Sequence, residues 1–130
     1  MQLNLGKPID LHNRNELIEQ WDLDASVGVH LFALDGTPCD TMIVALDGGL
    51  KHVLPDVEPS IVLSGVNLGP NLSQDSYHSG TMGAAREAGL YGIPAIASSY
   101  TSFDPVGMHV GVDATVELLQ RVLPLVPRIP

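Results

Sequence analysis

Residues 61–90, IVLSGVNLGPNLSQDSYHSGTMGAAREAGL, join an apolar run, a loop-rich centre and a helical tail. Ile61-Val62-Leu63 has the length and branching of a buried strand. Ser64 to Asn71 is dense in Gly, Pro and Asn, the residues of tight loops. His78-Ser79-Gly80-Thr81 then leads into Met82 to Ala88, which reads as a helix. Strand, loop and helix start is the layout in which α/β proteins bind anions at the carboxyl end of a sheet. The free N–H groups of the helix start favour a phosphate, and Gly80 lets it approach closely. One stretch therefore predicts both a fold class and a site.

Working outward, Val27, Val29, Leu31 and Ala33 alternate with Gly28, His30, Phe32 and Leu34, a strand largely buried on both faces that ends at Asp35-Gly36. Thr37 reads as a helix N-cap, with Pro38 at the first helical position and Asp40 three residues after Thr37. Cys39, Met42, Ile43, Leu46 and Leu50 share one helical face, and Gly48-Gly49 unwinds or stops that helix. Pro55 to Pro59 is a loop. Ala84, Ala85, Ala88 and Gly89 are small enough to let the later helix sit close to the sheet. Gly92-Ile93-Pro94 turns into a third strand, Ala95-Ile96-Ala97. Val112, Val116, Leu119 and Leu123 mark the apolar face of a last helix, closed by Pro124, Pro127 and Pro130. Met1 to Asp24 is the least legible part, a surface segment or partner-dependent arm with a helical turn or two over Asn15 to Trp21. Strand and helix alternating in this way predict right-handed βαβ units: a single domain, 1–130, with a Rossmann-like three-layer α/β architecture and a mainly parallel sheet.

The chain has 130 residues, 45% apolar and 16% charged, as an ordered globular chain does. Few aromatics place the core on Val, Ile, Leu and Ala. Six Lys and Arg against 15 Asp and Glu give a net charge of −9, which argues against a nucleic-acid groove because nothing neutralises a row of phosphates. A single small phosphorylated ligand remains open, provided backbone amides and a metal supply positive potential; the acidity also serves solubility. The single cysteine, Cys39, excludes an intrachain disulfide, fits a reducing compartment and reads as a small core residue. No apolar run approaches the ~18 residues that cross a bilayer, and the N-terminus lacks a secretory pattern. A cytoplasmic location is expected by default.

Ser64-Gly65-Val66-Asn67-Leu68-Gly69-Pro70-Asn71-Leu72, followed by Ser79-Gly80-Thr81, resembles the central motif of the SurE (survival protein E) family of metal-dependent nucleoside monophosphate phosphatases. Gly36-Thr37-Pro38-Cys39-Asp40 resembles that family's G-T-P-x-D segment, and Gly92-Ile93-Pro94-Ala95-Ile96-Ala97 its G-[IF]-P-A-[ILV]-A segment, in the same order and spacing. The resemblance implies that Asn67 ligates a divalent metal, Mg²⁺ or Mn²⁺, and that Asn71, Ser79, Gly80 and Thr81 contact the phosphate. It also implies hydrolysis of nucleoside 5′- or 3′-monophosphates by a homo-oligomer, a dimer or tetramer. No residue is assigned as catalytic.

The chain departs from the family in having no Asp-Asp pair, where SurE proteins begin with a metal-binding N-D-D-G strand. The family's P-x-x-x-x-S-G segment, which gives a Ser ligand, has no separate counterpart, because the only Ser-Gly pairs, Ser64-Gly65 and Ser79-Gly80, are both assigned to other motifs. One neutral Asn holds a hard cation poorly without carboxylates. Two other classes therefore stay open: a degenerate, non-catalytic phosphate-binding or oligomerisation module, and a small-molecule domain of flavodoxin-like layout. The bland readings also stand. Asn67 reads equally as a loop Asn bonded to its own backbone, and Ser79 or Thr81 as a helix cap. His78 is a candidate proton donor or a solvated surface residue, Asp75 is solvated, and Arg86 and Glu87 lie on the surface. His12, His30, His52 and His109 have no metal-ligand spacing. No G-x-S-x-G elbow, G-x-G-x-x-G or P-loop occurs.

Overall fold

The computed structural model describes residues 11–14 and 28–127. Strand β1 (Leu11–Asn13) pairs antiparallel with β2 (Phe32–Leu34). Both are short and only partly covered, so the expected strand through Val27 to Leu34, buried on both faces, is corrected over residues 28–34 to three half-exposed strand residues, and Val27 lies outside the described residues. The helical turn expected over Asn15 to Trp21 lies outside the described residues.

Helix α1 (Pro38–Val44) starts where Thr37, Pro38 and Asp40 predict. The Thr37 hydroxyl accepts from the Asp40 N–H at 3.2 Å, while the Asp40 carboxylate accepts from the Thr37 N–H at 2.7 Å. This reciprocal box satisfies two orphan groups, and such a cap is worth about 1 kcal/mol. The chain unwinds at Asp47 and Gly48, which has φ +106°, then resumes as α2 (Leu50–Val53). Cys39 is buried as expected.

Strand β3 (Val62–Leu68) is longer than the sequence suggests, running through Ser64 to Leu68 where a loop is predicted. After it come a short helix α3 (Asp75–His78), helix α4 (Gly80–Leu90), strand β4 (Ala95–Tyr100) and helix α5 (Met108–Val122). β3 and β4 are parallel, as a β–α–β unit requires. Helices α4 and α5 each pack on both strands, giving the layers of a Rossmann-like α/β fold. Among the described residues β2 pairs antiparallel with β1, beside the parallel β3–β4 pair that carries the site.

The β3–β4 ladder holds one irregularity. Ser64 pairs with Ala97 and Asn67 with Ser99, three steps on one strand against two on the other. This extra residue is a bulge, the device that re-aims a side chain beside a site. Here it brings Asn67, instead of Val66, level with Ser99. Gly65 makes it possible: its φ is +115°, and a Cβ there would strike the carbonyl oxygen of Ser98.

The buried core is made of small residues, Cys39, Ala84 and Ala88, with Ile93. The Ala and Gly run of α4 lets its neighbours come close. A Cβ on Gly80 would lie 2.9 Å from Pro38 Cγ, and one on Gly83 would lie 2.5 Å from Cys39 Sγ. Helix α5 is turned relative to its apolar pattern. Val112, Val116 and Leu123 are exposed, whereas Gly111, Thr115 and Leu119 are half-buried. Ser98 donates to Thr115 at 2.6 Å, because the Thr115 hydroxyl gives its own proton to the Gly111 carbonyl.

Candidate functional site

The carboxyl end of β3 holds Asn67 as the sequence predicts. Its Nδ2 donates to the Gly69 carbonyl at 2.9 Å and the Leu68 carbonyl at 3.3 Å. Carbonyls only accept, so the amide orientation is fixed and Oδ1 faces the other way. Thr81 donates to that oxygen at 3.3 Å. An amide oxygen has two lone pairs, and one remains for a ligand. Backbone bonding and ligand binding, opposed as readings of this residue, are therefore compatible: the first orients the second.

Asn71 is held from the other strand. Its Nδ2 donates to Ser99 Oγ at 2.7 Å. Ser99 is half-buried, level with Asn67, and its own proton has no acceptor among the described residues. Sequence reasoning missed it by ending the third strand at Ala97. The signal was available: in a parallel pair, the residue at the carboxyl end of the second strand sits level with that of the first.

Ser79 is the N-cap of α4, accepting from the Met82 N–H at 3.2 Å. Gly80 is the first helical residue and abuts Pro38, so packing gives it a reason to be glycine beyond any ligand. Asn67 and Thr81 are thus joined directly, Asn71 joins through Ser99, and Ser79 and Gly80 close the helix start. His78 and Asp75 sit exposed on α3. Arg86 is exposed, its guanidinium donating to the carbonyls of Ser76 and Tyr77 at 3.0 and 3.3 Å. Glu87, expected on the surface, is buried. It lies close enough to Tyr91 that its charge, after desolvation and Asp47, pushes the phenol above its ordinary range.

Beside the cluster runs a groove of ≈ 520 Å³ between α1, α3 and α4, lined by Pro38, Tyr77, Ser79, Gly80, Glu87 and Leu90 among others. Its volume is that of a small-molecule site. Among the described residues no three His, Cys, Asp or Glu side chains come together as a metal site. Asn67 offers one neutral oxygen, and Mg²⁺ or Mn²⁺ requires carboxylates as well. The described residues alone do not fit a divalent cation.

Comparison with known proteins gives the family. The family model "Survival protein SurE" matches residues 2–127. The chain is 43% identical over 121 residues to the 5′-nucleotidase SurE of Prochlorococcus marinus, covering 93% of this chain and 40% of the relative. It is 40% identical over 120 residues to that of Synechococcus elongatus, covering 92% and 42%. The crystal structure of the SurE protein from Aquifex aeolicus superposes with a TM-score of 0.71 at 27% identity, covering 98% of this chain and 45% of that one. The chain therefore spans less than half the length of these relatives. Motifs, bulged parallel strands and matched model together place it: the chain belongs to the SurE family.

Proposed function

We propose that this chain carries the phosphate-binding part of a phosphomonoesterase acting on nucleoside 5′- or 3′-monophosphates. The observation that supports it most is the meeting of Asn67, Thr81, Asn71 and Ser99 at the carboxyl end of the β3–β4 pair, beside the start of α4. The Ser99 hydroxyl proton and the second amide proton of Asn71, held in place by the bond between the two side chains, stabilise charge on phosphoryl oxygens with little reorganisation. In this reading the Ser99 hydroxyl and the N–H groups of Gly80 and Thr81 at the start of α4 orient the phosphate, the Thr81 hydroxyl holds Asn67, and the bulge keeps Asn67 and Ser99 side by side. Mg²⁺ or Mn²⁺ belongs to the same reading and would neutralise phosphoryl charge when bound. Asn67 would give it one ligand, and its carboxylates would come from outside the described residues. Assembly of identical chains and a cytoplasmic location complete the proposal, as does the phosphate of a mononucleotide being taken one at a time instead of along a nucleic-acid strand.

A second reading, a phosphate-binding module without catalysis, draws on the missing carboxylates. Phosphate release from AMP and an aryl phosphate, with Mn²⁺, Mg²⁺ or EDTA, separates the two. Metal-dependent release abolished by Asn67→Ala supports the enzyme. Phosphate binding without release under any condition supports the module.

A further inference from the structure

Helix α4 carries its chemistry at two places. Its first turn belongs to the phosphate cluster. Seven residues beyond Gly80, roughly 10 Å along the axis, Glu87 falls on the same face as Gly80 and Gly83. Glu87 is only 9% exposed, and its carboxylate makes no hydrogen bond or ion pair among the described residues. No buried side-chain oxygen is left without a partner in the described residues, so the Glu87 oxygens reach open space, and Glu87 lines the groove. Arg86, which lines the same groove, spends its guanidinium on two backbone carbonyls.

We infer that this groove takes the organic leaving group of the phosphate ester, and that Glu87 selects a flat heterocycle presenting adjacent N–H donors. The inference rests on the phosphatase reading for its phosphate end alone. Three features support it. Ser79 and Gly80 line both the groove and the phosphate cluster, so a ligand anchored at one extends into the other. Pro38, Tyr77 and Leu90 give the groove apolar walls, and Tyr77 and Leu90 are 72% and 79% exposed, so a bound ring covers surface that is otherwise wet. An ionised carboxylate accepts only, and its two oxygens match a pair of parallel donors. Guanine offers that pair at N1–H and the 2-amino group. Hypoxanthine keeps one of the two donors. Uracil flanks its single N–H with carbonyl oxygens, which the carboxylate repels.

The test is equilibrium binding of GMP, IMP, UMP and inorganic phosphate to the 130-residue chain, wild type, Glu87→Gln and Tyr77→Ala, with melting curves alongside. GMP is expected to bind about tenfold or more tighter than UMP, with IMP between. Glu87→Gln removes the preference for GMP over IMP and leaves phosphate binding unchanged. Tyr77→Ala weakens all three nucleotides and spares phosphate. Equal affinity of wild type for the three nucleotides overturns the inference, as does a ranking that survives Glu87→Gln, whatever happens to the melting temperature. The two readings fail separately. Phosphate binding without base preference removes the groove assignment and keeps the phosphate site. A base ranking with no phosphate competition does the reverse.

Discussion

The two helices that cover the β3–β4 pair were read from the same kind of pattern and behave differently. For α4 the sequence reports its inner face through small residues, Ala84, Ala85, Ala88 and Gly89: Ala84 and Ala88 are buried with Gly83 beside them and Ala85 is half-buried, while Gly89 is exposed. For α5 it reports an apolar stripe, Val112, Val116, Leu119 and Leu123, of which the fold half-buries Leu119 and leaves the other three exposed. The difference is one of constraint. Close packing tolerates no Cβ at Gly80 or Gly83, so these two glycines mark the contact itself. An apolar stripe states only that some surface is to be covered, not by which neighbour. Residues bound by steric necessity are therefore the better guides to where the site lies.

The largest expected effect tests that necessity. In Gly65→Ala the new Cβ meets the Ser98 carbonyl, and φ of +115° is strained for any L side chain. Strain and overpacking add to roughly 3 kcal/mol or more. Chemical denaturation is expected to show the midpoint falling sharply, and phosphate binding to be lost with it. A folded, binding-competent Gly65→Ala would break the claim that the bulge positions Asn67.

Next in size is the α1 cap. Thr37→Ala removes one arm of the box with Asp40 and is expected to cost about 1 kcal/mol, read as a lower urea midpoint with an unchanged slope. This cap was fully legible in the sequence because each of its parts acts within four residues. The start of α4 was legible to within a residue or two, with Ser79 and Thr81 as the two candidate caps and Ser79 the one that caps. What was not legible depended on distant partners. The bulge that extends β3 exists only against β4, and Ser99 becomes a site residue only because Asn71 reaches it across the chain. Glu87 looks like any helical surface glutamate until α1 closes over the glycine stripe beside it. β2 looked fully buried because alternation of apolar side chains cannot say which strands lie beside it.

Adjacent serines on β4 sharpen the contrast between the two faces. Ser98 bonds to Thr115 on the α5 side, and Ser99 to Asn71 on the site side. Ser98→Ala is expected to cost about 1 kcal/mol of stability, measured by denaturation, with phosphate affinity unchanged. Ser99→Ala is expected to leave the melting curve nearly as it was and to weaken phosphate binding about tenfold, the worth of one hydrogen bond to a charged group. Swapped outcomes would show that the site lies on the other face of the strand pair.

The smallest effect is expected on the stripe that misled. Val116 is 45% exposed, and an exposed apolar side chain away from caps, cores and polar networks changes stability by about 0.5 kcal/mol or less when replaced. Val116→Ser should therefore leave the denaturation midpoint almost unmoved. The informative partner is Gly111→Val on the inner stripe, where even the first carbon lies 3.0 Å from Val66 Cγ1 and 3.5 Å from Tyr100 Cβ. The larger side chain has to push α5 off the strands, and a destabilisation of about 1–3 kcal/mol is expected. If Val116→Ser proves the costlier of the two, α5 packs by its apolar pattern after all, and the exposed stripe is an interior surface covered by something beyond the described residues.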